Sequence, residues 1–433
     1  MIDKRPACIV RCTGAADVMD AVRFAREHDL LLAVRGGGHN IAGTALCDGG
    51  MVVDLSALRG VHVDVKAGTA RVQPGCAWGD VDRETQPFGY AVPNGIVSTT
   101  GVAGLTLGGG FGWLTRKYGY TCDTLLSGDV VTAAGARVPA SEAEHPDLFW
   151  GVRGGGGNFG VVTSFQYRMQ RAGPPVVAGL ALYPMAQARE VAAFFREFTA
   201  AAPEELTALL ILRIAPPAPF LPKEVHGAPV AAIAVCYAGP VEEGEAAVRP
   251  LKAFGRPLVD QVGPKPFAVH QTMLDTAQPP GRYYYWKSEY VGEVSGGLAE
   301  TLAAHTAEFP SPQTSVLVMH LGGAAARVGE AATAVSLPRR DAYVLNVAGS
   351  WVEPERQEGC IGWVRGLWSA ARPFALGATY INFQTADEGE ERVRAAYGPA
   401  TYRRLAALKD KYDPTNLFRV NQNVRPAAGA GRG

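Results

Sequence analysis

The sequence has no excess of either charge and no long apolar segment. Its 433 residues include 41 Lys and Arg and 41 Asp and Glu, so the formal charge at pH 7 is zero. A nucleic-acid-binding surface needs a basic excess to neutralise phosphates, so this balance argues against one. No run of about 18 apolar residues occurs, which predicts no membrane-spanning helix. The N-terminus, MIDKRPACIVRC, lacks the apolar stretch of a secretory signal, and we expect a cytoplasmic protein.

Cysteine is sparse, and its spacing matches no familiar site. The seven cysteines are odd in number and include no CxxC pair, which favours neither a disulfide framework nor a zinc site. We therefore expect mainly small buried hydrophobic side chains and no metal.

Glycine, in contrast, is abundant. The 52 glycines are about 12 % of the chain, against about 7 % in ordinary proteins. Much of the excess lies in three clusters, at residues 36–38, 108–112 and 154–160. Glycine lets backbone N–H groups approach a ligand without a Cβ in the way, and successive N–H groups form concave anion sites suited to a pyrophosphate. Three tight turns are the alternative, but three clusters in one region favour a dinucleotide.

The third cluster contains the spacing GxGxxG, through Gly155, Gly157 and Gly160. In a Rossmann site this motif follows a strand and opens a helix, whose N-terminus holds the pyrophosphate. Here the next residues are VVTSFQY, which are β-branched and aromatic and predict a strand. We therefore do not expect a Rossmann site.

Apolar periodicity divides the chain into two regions and a tail. The first region opens with a βαβ-like pattern and includes a predicted ligand loop over residues 92–114. The middle region predicts five longer strands and three helices, which is typical of an α+β domain with an antiparallel sheet. The tail predicts one helix over 390–411. The five middle strands are expected at 207–214, 230–237, 283–291, 315–321 and 342–351, and the helices at 187–201, 242–254 and 297–308.

Several motifs, taken together, resemble a known family. The segments VRGGGHN (34–40), STTGVAGLTLGGGFGWLTRKYG (98–119) and GGGGNFGVVTSF (154–165) are similar to the FAD-binding domain of the vanillyl-alcohol oxidase / p-cresol methylhydroxylase (PCMH) superfamily. YIN (380–382) and YDPTNLFRVNQNV (412–424) resemble its berberine-bridge-enzyme-like branch, and the likeness covers nearly the whole chain. It implies a two-domain α+β fold: a PCMH-type FAD-binding domain (1–174), a substrate domain with an antiparallel sheet covered by helices (175–388), and a C-terminal segment (389–433) that returns to the first domain. The family usually carries a further segment before the position of Pro6, and the sequence leaves open whether an upstream strand or helix is missing.

The resemblance also implies how FAD is held. The histidine of the family's RGGxH motif corresponds to His39, which implies a covalent bond to the flavin 8α-methyl group. The cysteine that forms a second bond in many relatives corresponds to Val97, so no cysteinyl bond is expected. The other implied cofactor-binding residues are Arg35, Gly36, Gly37, Gly38, Asn40, Ser98, Thr99, Gly101, Gly104, Gly160, Val162, Asn421 and Asn423.

The implied chemistry is transfer of a hydride from a substrate C–H to flavin N5 while a base takes a proton. The tyrosine of YxN corresponds to Tyr380, the expected base. A free tyrosine has a pKa of about 10, so it needs help near neutral pH, and we expect Tyr118 to stabilise its phenolate by a hydrogen bond. Asn346 keeps a polar group on a substrate-domain strand where Val344 replaces a frequent lysine.

The sequence leaves the substrate open. The resemblance implies an FAD-dependent oxidoreductase that acts on an alcohol, amine or sugar, with O₂ as the expected acceptor. The oligomeric state stays open. A same-fold dehydrogenase with another acceptor and a non-catalytic flavin-binding protein are the alternatives. The aromatic run at residues 283–286 predicts either sheet packing or a surface for stacking a substrate ring.

Overall fold

A computed structural model describes residues 2–218 and 221–427 of the chain. Its strands in chain order are β1 (Cys8–Arg11), β2 (Leu32–Arg35), β3 (Met51–Asp54), β4 (Val61–Asp64), β5 (Thr69–Val72), β6 (Tyr90–Ala91), β7 (Leu125–Val131), β8 (Arg137–Ser141), β9 (Val161–Arg168), β10 (Gln170–Arg171), β11 (Pro175–Pro184), β12 (Leu206–Ile214), β13 (Pro229–Tyr237), β14 (Val259–Asp260), β15 (Gly263–Pro266), β16 (Tyr283–Val291), β17 (Ser315–His320) and β18 (Tyr343–Trp351).

The helices are distributed along the whole chain. They are α1 (Ala15–Glu27), α2 (Trp78–Thr85), α3 (Val102–Leu107), α4 (Thr115–Tyr118), α5 (Pro146–Val152), α6 (Ala188–Ala200), α7 (Val241–Ala253), α8 (Phe267–Gln271), α9 (Gly296–His305), α10 (Ala324–Arg327), α11 (Gln357–Ala371) and α12 (Glu390–Tyr412). Within the described residues, no helix is both long and apolar enough to cross a membrane.

Two sheets and a two-stranded ribbon form the first part of the molecule. Strands β1, β3 and β2 make a parallel sheet in that order, and β4, β5, β9, β7 and β8 make an antiparallel one. The ribbon pairs β6 with β10. Helix α1 packs Val18 and Val22 against Val53 of β3 and Val161 of β9 in a shared apolar cluster. This packing fixes the end of β2, and with it the start of the first glycine cluster.

The middle of the chain forms one large antiparallel sheet in the order β14-β11-β13-β12-β17-β18-β16, with β15 also paired to β11. Successive side chains on a strand face opposite ways. On β12, Leu210 and Leu212 therefore join the apolar cluster under helices α6, α7, α9 and α11, whereas Ile211 and Arg213 face an interior cleft. The predicted antiparallel sheet covered by helices is confirmed.

Some elements differ from their sequence-based predictions. Within 92–114, expected to be a loop, the structure forms α3. The tail helix is bent at Gly398, whose φ of +72° precedes Pro399; proline lacks the N–H that a continuous helix needs. Strand β9 does follow Gly160, as expected for a cluster that is not a Rossmann site.

Candidate functional site

A deep cleft separates the glycine-rich loops from the inner face of the large sheet. It encloses about 1970 Å³ of space free of protein atoms, partly open to solvent. One wall comes from the end of β2 and from α3, and the other from β12, β17 and β18. The C-terminal segment that follows α12 closes the cleft with Phe418, Val420, Asn421 and Gln422.

Two glycines let the first loop and α3 meet in this wall. A Cβ on Gly37 would lie 2.6 Å from the Cα of Gly101, and one on Gly101 would lie 2.8 Å from the Cα of Gly37. Both distances are too short for real carbon contacts, so any larger residue would push the loops apart. Gly38 next to them has a φ of +70°, a conformation that other residues rarely adopt. The result is an exposed backbone surface on which an anionic group can rest.

The third glycine cluster holds the C-terminal segment over the cleft. The side-chain amide of Asn421 donates to the carbonyl of Gly157 (3.1 Å). The amide of Asn158 donates to the carbonyl of Gln422 (3.2 Å), and its oxygen accepts from the N–H of Val424 (2.9 Å). The buried ion pair between Lys409 and Asp413 anchors the turn that starts this segment.

Four residues that line the cleft each carry one buried polar atom that has no hydrogen-bond partner in the described structure. A buried polar atom without a partner is costly, so a polar ligand that these side chains could turn towards would be stabilised here. Together with the glycine surface they fit an elongated dinucleotide that carries a polar ring system, as FAD does. The atoms are Asn421 Oδ1, Asn346 Oδ1, Gln278 Oε1 and Trp286 Nε1.

His39 lies in the cleft wall directly after Gly38. His39 is exposed to solvent, and the partial loss of hydration around its ring lowers the pKa of His39 from its usual value. The neutral imidazole, which has a free lone pair, is therefore the dominant form at neutral pH. Val97, where no cysteinyl bond was expected, also lines the cleft.

Tyr380 is 1 % exposed and lines the cleft with its ring edge-on to Phe111, the ring centroids being 5.0 Å apart. Its hydroxyl oxygen accepts two hydrogen bonds, from Asn382 Nδ2 (2.8 Å) and from the N–H of Gly110 (3.2 Å). Burial raises the pKa of Tyr380 above its usual value, while these two bonds act in the opposite direction. Donors aimed at one oxygen stabilise its anionic form, so Tyr380 is placed to hold a proton taken from a ligand.

The expected support of Tyr380 by Tyr118 is not present. The hydroxyl of Tyr118 donates to the carbonyl of Arg171, and burial raises the pKa of Tyr118 to about 12. Tyr118 ends the short helix α4 and points away from the cleft, so Asn382 and Gly110 supply the donors that we expected from it. The YIN motif contained Asn382, but nothing in the motif showed which way the amide points.

Four other expected cofactor residues lie outside the cleft lining. Ser98 instead donates through its N–H and its hydroxyl to Asp275 (2.8 and 2.6 Å), linking the loop to the middle region. Thr99 and the side chain of Arg35 are exposed to solvent. Asn423 lines a smaller neighbouring cavity. The remaining expected residues line the cleft: Gly36, Gly37, Gly38, His39, Asn40, Gly101, Gly104, Gly160, Val162 and Asn421, together with Tyr380 and Asn346.

Asn346 and Arg213 bring polar groups to the sheet side of the cleft. Asn346 on β18 lines the cleft and is 2 % exposed, and its buried Oδ1 has no hydrogen-bond partner. Arg213 was not predicted as a site residue from the sequence. A single charged residue within the apolar strand sequence LTALLILRI could have indicated it. In the described residues no group of three or more His, Cys, Asp or Glu side chains is arranged to hold a metal ion, and all seven cysteines are free thiols.

Comparisons with known proteins indicate an FAD-binding protein. Residues 6–141 match the family model described as FAD binding domain, and residues 379–425 match the one described as berberine and berberine like. An FAD-linked oxidoreductase of Dictyostelium discoideum is 30 % identical, the match covering 97 % of this chain and 89 % of that protein. The (R)-6-hydroxynicotine oxidase of Paenarthrobacter nicotinovorans is also 30 % identical, over 98 % of this chain and 92 % of that one.

Solved structures show the same fold. The crystal structure of 6-hydroxy-D-nicotine oxidase from Arthrobacter nicotinovorans superposes with a TM-score of 0.86 at 28 % identity, covering 97 % of this chain and 92 % of that one. A chitooligosaccharide oxidase superposes with a TM-score of 0.83 at 22 % identity, covering 98 % and 93 % of the two chains, and that likeness concerns the fold alone.

Proposed function

This chain belongs to the family of FAD-linked oxidoreductases with a berberine-like C-terminal segment, and we propose that it is an oxidase with Tyr380 as its base. The substrate is a small molecule with an oxidisable C–H beside an O–H or N–H, as in an alcohol, an amine or a sugar. FAD, when bound, supplies the acceptor for the hydride. The observation that carries the proposal is the buried Tyr380 hydroxyl in the cleft, with two donors on one oxygen.

Tyr380 takes the proton that the substrate O–H or N–H must lose. The charge that develops on its oxygen is met by the amide of Asn382 and the N–H of Gly110, which are already in place. Asn346 offers its unpartnered Oδ1 to a donor group of the substrate. The apolar rings of Phe111 and Phe383 pack against Tyr380 and limit the access of water.

Substitution of Tyr380 by Phe tests the base. Removing a general base typically costs 10²- to 10⁴-fold in rate, so we expect Tyr380→Phe to retain FAD and to lose reduction by an alcohol, amine or sugar panel, measured as bleaching of the flavin absorbance. Tyr118→Phe is the matched control, because that hydroxyl donates to the carbonyl of Arg171. Equal bleaching rates for Tyr380→Phe and the unaltered protein would exclude this role, and a protein that no panel member bleaches would favour a non-catalytic flavin-binding function.

We also propose that His39 is bonded to the flavin. Its place in the cleft wall and the lowered pKa of its imidazole support a nucleophilic nitrogen at that point. Acid precipitation is expected to leave a yellow pellet from the unaltered protein and a colourless one from His39→Ala. His62→Ala, an exposed position on β4, is the control and keeps the colour in the pellet. A colourless pellet from the unaltered protein refutes the bond.

The final acceptor is proposed to be O₂, with hydrogen peroxide as the product. In support, the relative from Paenarthrobacter nicotinovorans and the similar structure from Arthrobacter nicotinovorans carry the name oxidase. Rapid return of the flavin absorbance in air-saturated buffer, with one peroxide per turnover, is expected. A slow return that an artificial electron acceptor accelerates would assign the chain to the dehydrogenases instead.

A further inference from the structure

Arg213 is a cationic side chain inside the cleft, and its charge has no acidic partner there. Among the described residues that line the cleft, it is the only Asp, Glu, Lys or Arg. Its Nε donates to the adjacent carbonyl of Ile214 (3.0 Å), which leaves the two terminal nitrogens for a ligand. Arg213 is half-buried, and a cation that is partly withdrawn from water without an acidic partner attracts an anion.

The surroundings increase the attraction for an anion. Burial, and secondly repulsion from Arg282, lower the pKa of Arg213 to about 10, so the guanidinium stays charged at neutral pH. Arg282 thus adds positive potential from the segment that precedes β16. On the adjacent strand β17, Ser315 is aligned with Arg213 and also lines the cleft, so its hydroxyl can act as a neutral donor beside the charge.

The sheet register connects Arg213 to the proposed reaction centre. Ile211, two residues before it, is paired with Leu317, which is paired with Asn346, and all three line the cleft. Neighbouring strands are about 4.8 Å apart, so the strand of Arg213 is about 10 Å from that of Asn346. An anionic group bound to Arg213 therefore leaves space, between itself and Asn346, for one ring or a short apolar chain over the side chains of Ile211 and Leu317.

Aromatic side chains border the same space. The ring of Trp286 lies edge-on to Phe383 (5.4 Å between centroids), which in turn packs on Tyr380 (5.0 Å). A planar or apolar body is well matched to such walls. Resting on the proposed function, we propose that the substrate is an organic acid whose carboxylate binds Arg213 while its oxidisable carbon lies near Tyr380.

The FAD pyrophosphate is the other anion that the cleft must accept. The glycine loops around Gly37 and Gly101 already provide backbone N–H groups for it. Arg213 lies on the opposite wall, on the strand that also carries Ile211. This division of the two walls assigns Arg213 to the substrate.

Matched acids and amides test the proposal on the flavin-loaded protein. The probes are benzoate with benzamide, and phenylacetate with phenylacetamide, titrated by calorimetry. Because hydrogen bonds to a charged group contribute about twice what neutral ones do, we expect each acid to bind about 10- to 100-fold more tightly than its amide. Arg213→Gln is expected to abolish that preference, whereas Arg213→Lys, which keeps the charge, retains part of it. Arg137→Gln, an exposed position on β8, is the control.

Two results would overturn the assignment. They are equal affinity for acids and amides in the unaltered protein, and an acid preference that survives in Arg213→Gln. If Arg213→Gln keeps that preference and also loses bound FAD, Arg213 belongs to the cofactor site. Flavin content is measured separately by visible absorbance, so a protein that never binds FAD refutes the proposed function, whereas a flavoprotein without acid preference refutes only this inference.

Discussion

Replacing Asn382 by Ala removes the shorter of the two hydrogen bonds that the hydroxyl oxygen of Tyr380 accepts (2.8 Å, against 3.2 Å from Gly110). The phenolate loses more than the neutral phenol, because a donor stabilises the charged form more strongly. The substitution therefore raises the pKa of Tyr380 further. Since the phenolate is the active base, the rising limb of the rate against pH moves to higher pH.

The size of the effect follows from the bond and its surroundings. A hydrogen bond to a charged group contributes about 1.5–3 kcal/mol, and 1.36 kcal/mol corresponds to one pKa unit. Asn382 is half-buried, so water replaces part of the lost bond and the lower figure applies. We expect the limb to move by about one pH unit, and kcat/KM near neutral pH to fall about tenfold.

The assay is the reductive half-reaction, followed by flavin bleaching from neutral to alkaline pH with any substrate that reduces the unaltered protein. Asn382→Asp sharpens the test, because it keeps the size of the side chain and adds a negative charge beside the phenolate. The limb is then expected to move further than in Asn382→Ala. If both variants lower the maximal rate and leave the limb where it was, the amide does not stabilise a Tyr380 phenolate and the reasoning fails.

Three substitutions elsewhere probe the architecture. Gly101→Ala forces the two loops apart, at a cost of about 1–3 kcal/mol for overpacking, and is expected to lower the FAD content measured by visible absorbance. Ser98→Ala removes the hydroxyl bond to Asp275 and is expected to lower the free energy of unfolding by about 1–2 kcal/mol without loss of FAD. Lys409→Met leaves Asp413 as an unpaired buried charge, and denaturant unfolding is expected to show a loss of about 3–5 kcal/mol.

For each of these three substitutions, one experimental result would contradict the expectation. Gly362→Ala, at a helical position with open space around it, is the control for Gly101→Ala, and equal FAD contents in the two variants would contradict the close approach. Loss of flavin from Ser98→Ala would return that residue to the cofactor site. A change below about 1 kcal/mol in Lys409→Met would mean that the ion pair contributes no more than an exposed one.

The large sheet was predictable from sequence because its strands are long and apolar, and periodicity is clearest in such segments. Strand β11 was not predicted, because it contains residues with poor strand propensity, Pro175, Gly179 and Pro184. Pairing with β13 stabilises the strand in spite of that low propensity. Helix α11 was missed for a similar reason, because Gly359, Gly362 and Gly366 weaken its helical signal. Packing of its buried face on the sheet stabilises it instead.

Sequence motifs predicted where the backbone of the candidate site approaches a ligand, but not where its side chains point. The glycine clusters indicated where loops approach a ligand, since that property depends on the missing Cβ alone. The direction of a side chain depends on the three-dimensional surroundings, which is why Tyr118 was assigned to the wrong partner and Asn382 to none. Arg213 is the reverse case: its strand was predicted, but only the register with β17 shows that its charge enters the cleft.

The C-terminal segment bears on the order of events during synthesis. Phe418 and Asn421 complete a cleft that has one wall made from residues near position 37, so both ends of the chain are needed before the cleft exists. A growing chain emerges from the ribosome N-terminus first, and domains tend to fold as they emerge. One side of the glycine loops therefore stays uncovered until almost the whole polypeptide has been synthesised. A product that stops short of α12 would carry most of the FAD-binding motif and still lack a closed place for the cofactor.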